Sequence, residues 1–211
     1  MKSKKLQFGL IILTLLIPLK IFSQNTTDQQ SAIEKTQKLL TGLVKNSYPK
    51  LENKKIKVKT FKSESSYFKT RFSFSKFLKF QKINYIVFVN PGIYQSKISE
   101  EAVIAILAHE LAHIVYYTEK NRLELLGLAG LIDKSFTAKF ERKADLQVIK
   151  RGYGEGLIKY REWLYEHIPQ KNLNEKKRSY FTPEEIKAIM AKPEKIDFWL
   201  KNVPRSLSEI N

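Results

Sequence analysis

Hydrophobic and polar positions in this chain follow two periods, and the change between them divides it. From Thr26 to Lys45 the apolar residues Ile33, Leu40, Leu43 and Val44 fall on one side of a helix, because positions three, four and seven apart share a face. Tyr48-Pro49 ends that helix, since the residue before proline is pushed out of helical backbone. The period then drops to two. Ile56 to Phe61 sets Ile56 and Val58 against Lys55, Lys57 and Lys59, a half-buried strand with a basic outer face. Phe72 and Phe74 alternate with serines around Arg71 to Ser75, a second strand, and Ile83 to Val89 is a third, more apolar one. Asn90-Pro91-Gly92 makes a turn.

Helical spacing returns at Ser99, an N-cap followed by Glu100 and Glu101, which suit the positive end of a helix dipole. This helix runs to Tyr117 and is apolar nearly all round, the mark of a buried helix. Further helices are expected at Ser135–Arg151, ending near Gly152, at Leu157–His167, stopped by Pro169, and from Thr182-Pro183-Glu184-Glu185, a capping box with proline at the first helical position. Leu123 to Ile132 is apolar but too short to cross a membrane. Phe198-Trp199-Leu200 reads as core, or else as an interface. Strands first and helices after them predict an α+β domain, a small N-terminal sheet on a mostly helical body.

The N-terminus stands outside that domain. Lys2, Lys4 and Lys5 precede the apolar run Leu6 to Leu19, and polar residues follow from Ser23. This is the layout of a secretory signal peptide, residues 1–23, with cleavage near Ser23/Gln24; an uncleaved N-terminal anchor is the alternative. Residues 24–211 are expected to form a single domain in an exported protein, periplasmic or secreted. The 211 residues contain no cysteine, so neither disulfides nor thiolate ligands are available. The net charge is +17. Removing Lys2, Lys4, Lys5 and Lys20, 17 less four, leaves +13. Such a surface is either simply solvated or makes peripheral contact with an anionic envelope surface. The lysines are dispersed and form no nucleic-acid-binding signature, so no nucleic-acid partner is expected.

One pattern contradicts the apolar character of its surroundings. His109-Glu110-Leu111-Ala112-His113 lies inside the buried helix. Polar groups there need partners. Two imidazoles four residues apart share a face one turn apart and can hold one zinc ion, and the glutamate between them can act as general base toward a water on the metal. A catalytic zinc site takes three protein ligands and keeps a fourth position open. His167 is the only other histidine, so the third ligand is expected to be a carboxylate from another helix. Glu141-Arg142-Lys143-Ala144-Asp145 offers one, 28 residues beyond His113. Glu141 and Asp145 share a helical face, and Ala144 permits close helix approach. One carboxylate can bind metal while the other accepts an imidazole N–H and fixes that ring's tautomer. Taken alone, the two acids also fit an ordinary solvated helix face.

Together the two motifs resemble the gluzincin metallopeptidases of the HtpX and CAAX-prenyl-protease type, which carry HExxH on one helix and ExxAD on a later one. The resemblance covers roughly residues 80–168. It implies a zincin-like fold with a buried active-site helix, and one zinc ion per chain held by His109, His113 and Glu141. It also makes Glu110 the general base and Asp145 the carboxylate behind a zinc ligand, His109. The chain departs from the family in lacking transmembrane helices between the motifs and a C-terminal His-Pro motif, so it would be a small exported member. The expected activity is zinc-dependent hydrolysis of peptide bonds, with a peptide or protein as substrate. The donor that completes oxyanion stabilisation is open among Tyr153, Tyr160, Tyr180 and Arg178, and the strand Ile83–Val89 is expected to hold substrate by strand addition. A non-catalytic zinc-binding module, or a basic envelope-binding protein with an accidental motif, are the competing readings.

Overall fold

The computed structural model describes residues 16–73, 83–121, 124 and 134–211, with side chains from residue 26 onward except those of 134 and 135. The architecture is α+β and mostly helical. Helix α1 (Leu16–Ser47) is followed by a 3-10 turn, Pro49–Leu51. Three strands come next among the described residues: β1 (Ile56–Thr60), β2 (Phe68–Phe72) and β3 (Tyr85–Val89). After the helical turn Gly92–Gln95 the described elements are helices: α2 (Glu100–Glu119), α3 (Lys134–Lys150), α4 (Gly154–His167), α5 (Gln170–Ser179), α6 (Pro183–Met190) and α7 (Ile196–Lys201).

The sheet order is β1-β3-β2. β1 runs parallel to β3, with Ile56 opposite Tyr85, and β2 runs antiparallel, with Phe68 opposite Val89. Tyr85, Val87 and Val89 are buried on one face of the central strand. They share one core with α2, whose residues Ala102 to Ile114 are buried except Ile104. Leu107, Leu111 and Ile114 are wholly inaccessible, each contributing roughly 1.5–3 kcal/mol of burial. Ser99 caps α2 by accepting the Ala102 N–H.

Helix α4 crosses α2 closely, and Gly156 makes this possible. A Cβ there would lie 2.5 Å from the Glu101 carbonyl oxygen. Gly152, at φ +84°, turns the chain out of α3 in backbone that side chains disfavour. The capping box at Thr182 forms as its sequence predicts, with Thr182 and Glu185 each accepting the other's backbone N–H. A continuous core runs from Ala32 in α1 to Ile210.

Several elements differ from expectation. The second strand is Phe68–Phe72 rather than Arg71–Ser75. Phe68 is the residue it buries, so the ladder starts where burial begins. Positions 74–75 lie outside the described residues, as does the apolar stretch Leu123–Ile132 apart from Glu124. Helix α1 already includes Leu16, N-terminal to the Thr26 at which a helix was expected to start. Helix α5 has no counterpart in the sequence reading. It buries no residue and carries one apolar side chain, Leu173, so it has no periodicity to read. Of Phe198-Trp199-Leu200, Trp199 is core, whereas Phe198 is 62% exposed. Among the described residues, no helix is long and apolar enough to cross a membrane.

Candidate metal centre

His109 and His113 project from α2 toward Glu141 on α3, and the three ligand atoms form a nearly equilateral triangle. His109 Nε2 is 3.0 Å from Glu141 Oε2, His113 Nε2 is 3.0 Å from the same oxygen, and the two imidazole nitrogens are 3.0 Å apart. Ligand atoms around a tetrahedral zinc with bonds of about 2.0–2.1 Å are roughly 3.3 Å apart. The triangle is therefore a few tenths of an ångström tight, and its donor set, two imidazoles and a carboxylate, is one zinc accepts. Among the described residues this is the group of histidines and acids placed to hold a metal ion.

The surroundings fix which nitrogen faces the metal position. His109 Nδ1 lies 2.8 Å from Asp145 Oδ1. The carboxylate can only accept, so Nδ1 carries the hydrogen and the Nε2 lone pair is left for a metal. Asp145 is itself fully buried and saturated. It accepts from Arg161 Nη2 at 2.9 and 3.2 Å and from the Phe181 backbone N–H at 3.1 Å. His113 is held by stacking on Phe140, with ring centroids 4.4 Å apart.

Charge in this cluster favours a cation. Burial works against protonating His109, but its hydrogen bonds to Asp145 and Glu141 outweigh burial and push it up to about 9. Burial would raise Glu141, yet the charge of His113 and the hydrogen bonds to both imidazoles hold it far below the usual carboxylate range. Two carboxylates converging on two imidazoles thus draw positive charge to the position where the ligand atoms meet. A proton supplies it in the metal-free protein, and a divalent ion could take its place.

Glu110 is different. It is buried beside the triangle, its Oε2 has no hydrogen-bond partner among the described residues, and burial raises its pKa above the ordinary 4.5. A buried, unpartnered carboxyl oxygen is unusual enough to need a reason. It faces a small cavity of about 30 Å³, shared with His109, Tyr160, Tyr180, Lys176 and Ser66. Thr70 of β2 donates to the Glu110 carbonyl at 3.3 Å and Tyr48 donates to the Ala108 carbonyl at 2.7 Å, which anchors this stretch of α2.

With this geometry defined, the chain was compared with known proteins. No family model, curated protein or solved structure matches it.

The structure brings His109, Glu110, His113, Glu141 and Asp145 together and divides the four candidate donors. Tyr160 and Tyr180 line the Glu110 cavity, and the Tyr180 ring centroid is 5.9 Å from that of His109. Tyr153 is elsewhere, its hydroxyl 2.6 Å from Ser47 Oγ. Arg178 lines a separate groove. The strand expected to hold substrate is excluded from that role. β3 is paired on both sides, and β2, whose Thr70 touches α2, is the strand beside the centre. Arg161 and Lys176 escaped the sequence reading. Arg161 was visible in principle, since its spacing from Leu157 and Leu164 sets it on the apolar stripe of α4. Lys176, which reaches Ser66 Oγ at 3.3 Å, lies on the helix that had no signal.

Proposed function

We propose that this chain is a zinc-dependent metalloendopeptidase with a zincin-like, gluzincin architecture, similar to the HtpX and CAAX-prenyl-protease type. The observation that carries the proposal is the unpartnered Glu110 oxygen buried beside the His109–His113–Glu141 triangle. A purely structural metal site has no use for a buried, unsatisfied carboxylate, which favours catalysis over a zinc-binding scaffold. His109, His113 and Glu141 would hold the ion. When bound, zinc supplies Lewis acidity, polarising the scissile carbonyl and acidifying a water in its open position.

The remaining work falls to side chains. Glu110 accepts a proton from the attacking water and returns it to the leaving amine, so that the water is added across the broken C–N bond. Asp145 keeps the hydrogen on His109 Nδ1, backed by Arg161. Tyr180, which lines the Glu110 cavity, would donate its O–H to the developing oxyanion, and burial keeps that hydroxyl protonated by raising its pKa well above 10.0. β2 is the strand available to lie alongside an extended peptide, since Phe68 lines the same cavity. The signal-peptide layout at the N-terminus is read as export of the enzyme.

The first test is zinc per chain in the wild type beside His113→Ala and Glu141→Ala. About one zinc in the wild type, lost from both variants, supports the three-ligand site. A peptide-library screen with Glu110→Gln as control then tests hydrolysis. A well-folded wild type that takes up no zinc would refute the proposal.

A further inference from the structure

A second face of α3, one residue round from Glu141, borders a groove of about 460 Å³. We infer that this groove, framed by Lys139, Arg178, Lys201 and Arg205, is a binding site for a phosphate-bearing organic anion.

Its charge is one-sided. Lys139, Arg178, Lys201 and Arg205 are exposed at its rim, and among the described residues none of them forms an ion pair. Four cations around one groove repel each other and stabilise nothing by themselves. The one acid in the lining, Glu209, accepts the Arg205 backbone N–H at 2.8 Å and keeps its charge, so four cations less one acid leave an excess of three positive charges.

The groove is also built from within. Arg142 lines it while 95% buried, its exposure being 5%. Its guanidinium meets Glu185 Oε1 at 3.1 Å, the Pro204 carbonyl at 3.3 Å and the Arg178 carbonyl at 3.5 Å. One buried side chain therefore sets the spacing of the three chain segments that carry the rim cations. Ala138, Val203 and Pro204 give the floor an apolar part.

These features together select the ligand chemistry. Two of the four rim cations are arginines, whose planar forks suit phosphate oxygens. The apolar floor suits a carbon body rather than a bare ion. The volume lies in the range of small-molecule sites, about 300–1,000 Å³. A soluble phosphate ester and an anionic phospholipid headgroup share this chemistry.

Calorimetric titration of the full chain with glycerol 1-phosphate tests the soluble source. Co-sedimentation with phosphatidylglycerol vesicles, against phosphatidylcholine vesicles, tests the lipid source. Binding in either arm should weaken about tenfold in Arg178→Ala and in Lys201→Ala. It should hold in Lys57→Ala, which removes the same charge from the outer face of β1. Amide shifts on titration should concentrate at residues 138–142, 178 and 201–205. The inference is overturned if neither probe binds, or if Lys57→Ala weakens binding as much as the groove variants do. Circular dichroism of the variants reports their folding, and no part of the test depends on metal binding or peptidase activity.

Discussion

Asp145 joins His109 to Arg161: its Oδ1 lies 2.8 Å from the Nδ1 of His109 and 2.9 Å from Nη2 of Arg161, with all three side chains buried. A helix α2 imidazole is thereby oriented through α3 by a guanidinium on α4. Asp145→Asn should keep the shape but lose the charge that fixes the His109 tautomer, so zinc affinity should fall about 10- to 100-fold. Asp145→Ala leaves the buried Arg161 unpaired and should cost about 3–5 kcal/mol of stability. Competition with a chromophoric chelator and denaturant unfolding measure the two effects. Unchanged zinc affinity in Asp145→Asn would remove the positioning role.

Glu110→Gln should retain zinc and lose peptide hydrolysis. Because Glu110 has a raised pKa in the fold, its stabilising form is the neutral one. That contribution is present at low pH and is lost as pH rises through the raised value. The neutral amide should accordingly make the protein more stable at pH 8, by about 1 kcal/mol, a gain in stability at the position proposed to be catalytic. A destabilised Glu110→Gln variant would count against a buried, strained carboxylate.

The metal-free and zinc-loaded forms should differ in pH dependence. His109 is raised from 6.5 to about 9, so its stabilisation is complete below about pH 6.5 and disappears as pH climbs through 9. Glu141 is depressed from 4.5, so its stabilisation holds above that value and is lost as pH falls. Metal-free protein should be most stable between these limits, losing on the order of 2 kcal/mol by pH 9. Zinc competes with the proton on His109, so its affinity should rise over the same interval. Melting curves from pH 5 to 9, with chelator and with zinc, should diverge toward alkaline pH.

Tyr180→Phe removes one oxygen from the cavity and leaves its ring beside His109. A loss of about 100-fold in kcat, with KM and zinc content nearly unchanged, is expected of an oxyanion donor. Equal activity would pass that role to Tyr160, the other sequence candidate in the cavity, or to Lys176, which lines it too.

Gly156→Ala tests the helix crossing beneath the centre. The added carbon would press on the Glu101 carbonyl, 2.5 Å away, at a cost of roughly 1–3 kcal/mol. Arg161 rides on α4, so the displacement should also weaken zinc binding. A thermal melt and a chelator competition on the same sample read both.

What the sequence determined by itself is local. The His109–His113 spacing, the Ser99 and Thr182 caps, the turn after α3 at Gly152 and the apolar run of α2 are short-range signals, set by helix periodicity and capping chemistry, and each is found in the structure. The pairing of those histidines with Glu141 rested on a shared helical face and a family resemblance, and the fold brings the three together. Only the tertiary structure decided which strand borders the centre. Sheet order depends on long-range pairing, and the apolar character of β3 says only that it is buried. The same holds for Tyr180, Lys176 and Arg142. Tyr180 lies just past a helix without an apolar stripe, Lys176 lies within it, and Arg142 resembles any charged surface residue until Glu185, Pro204 and Arg178 close around it. Their roles come from contacts between segments distant in sequence, which no local pattern encodes.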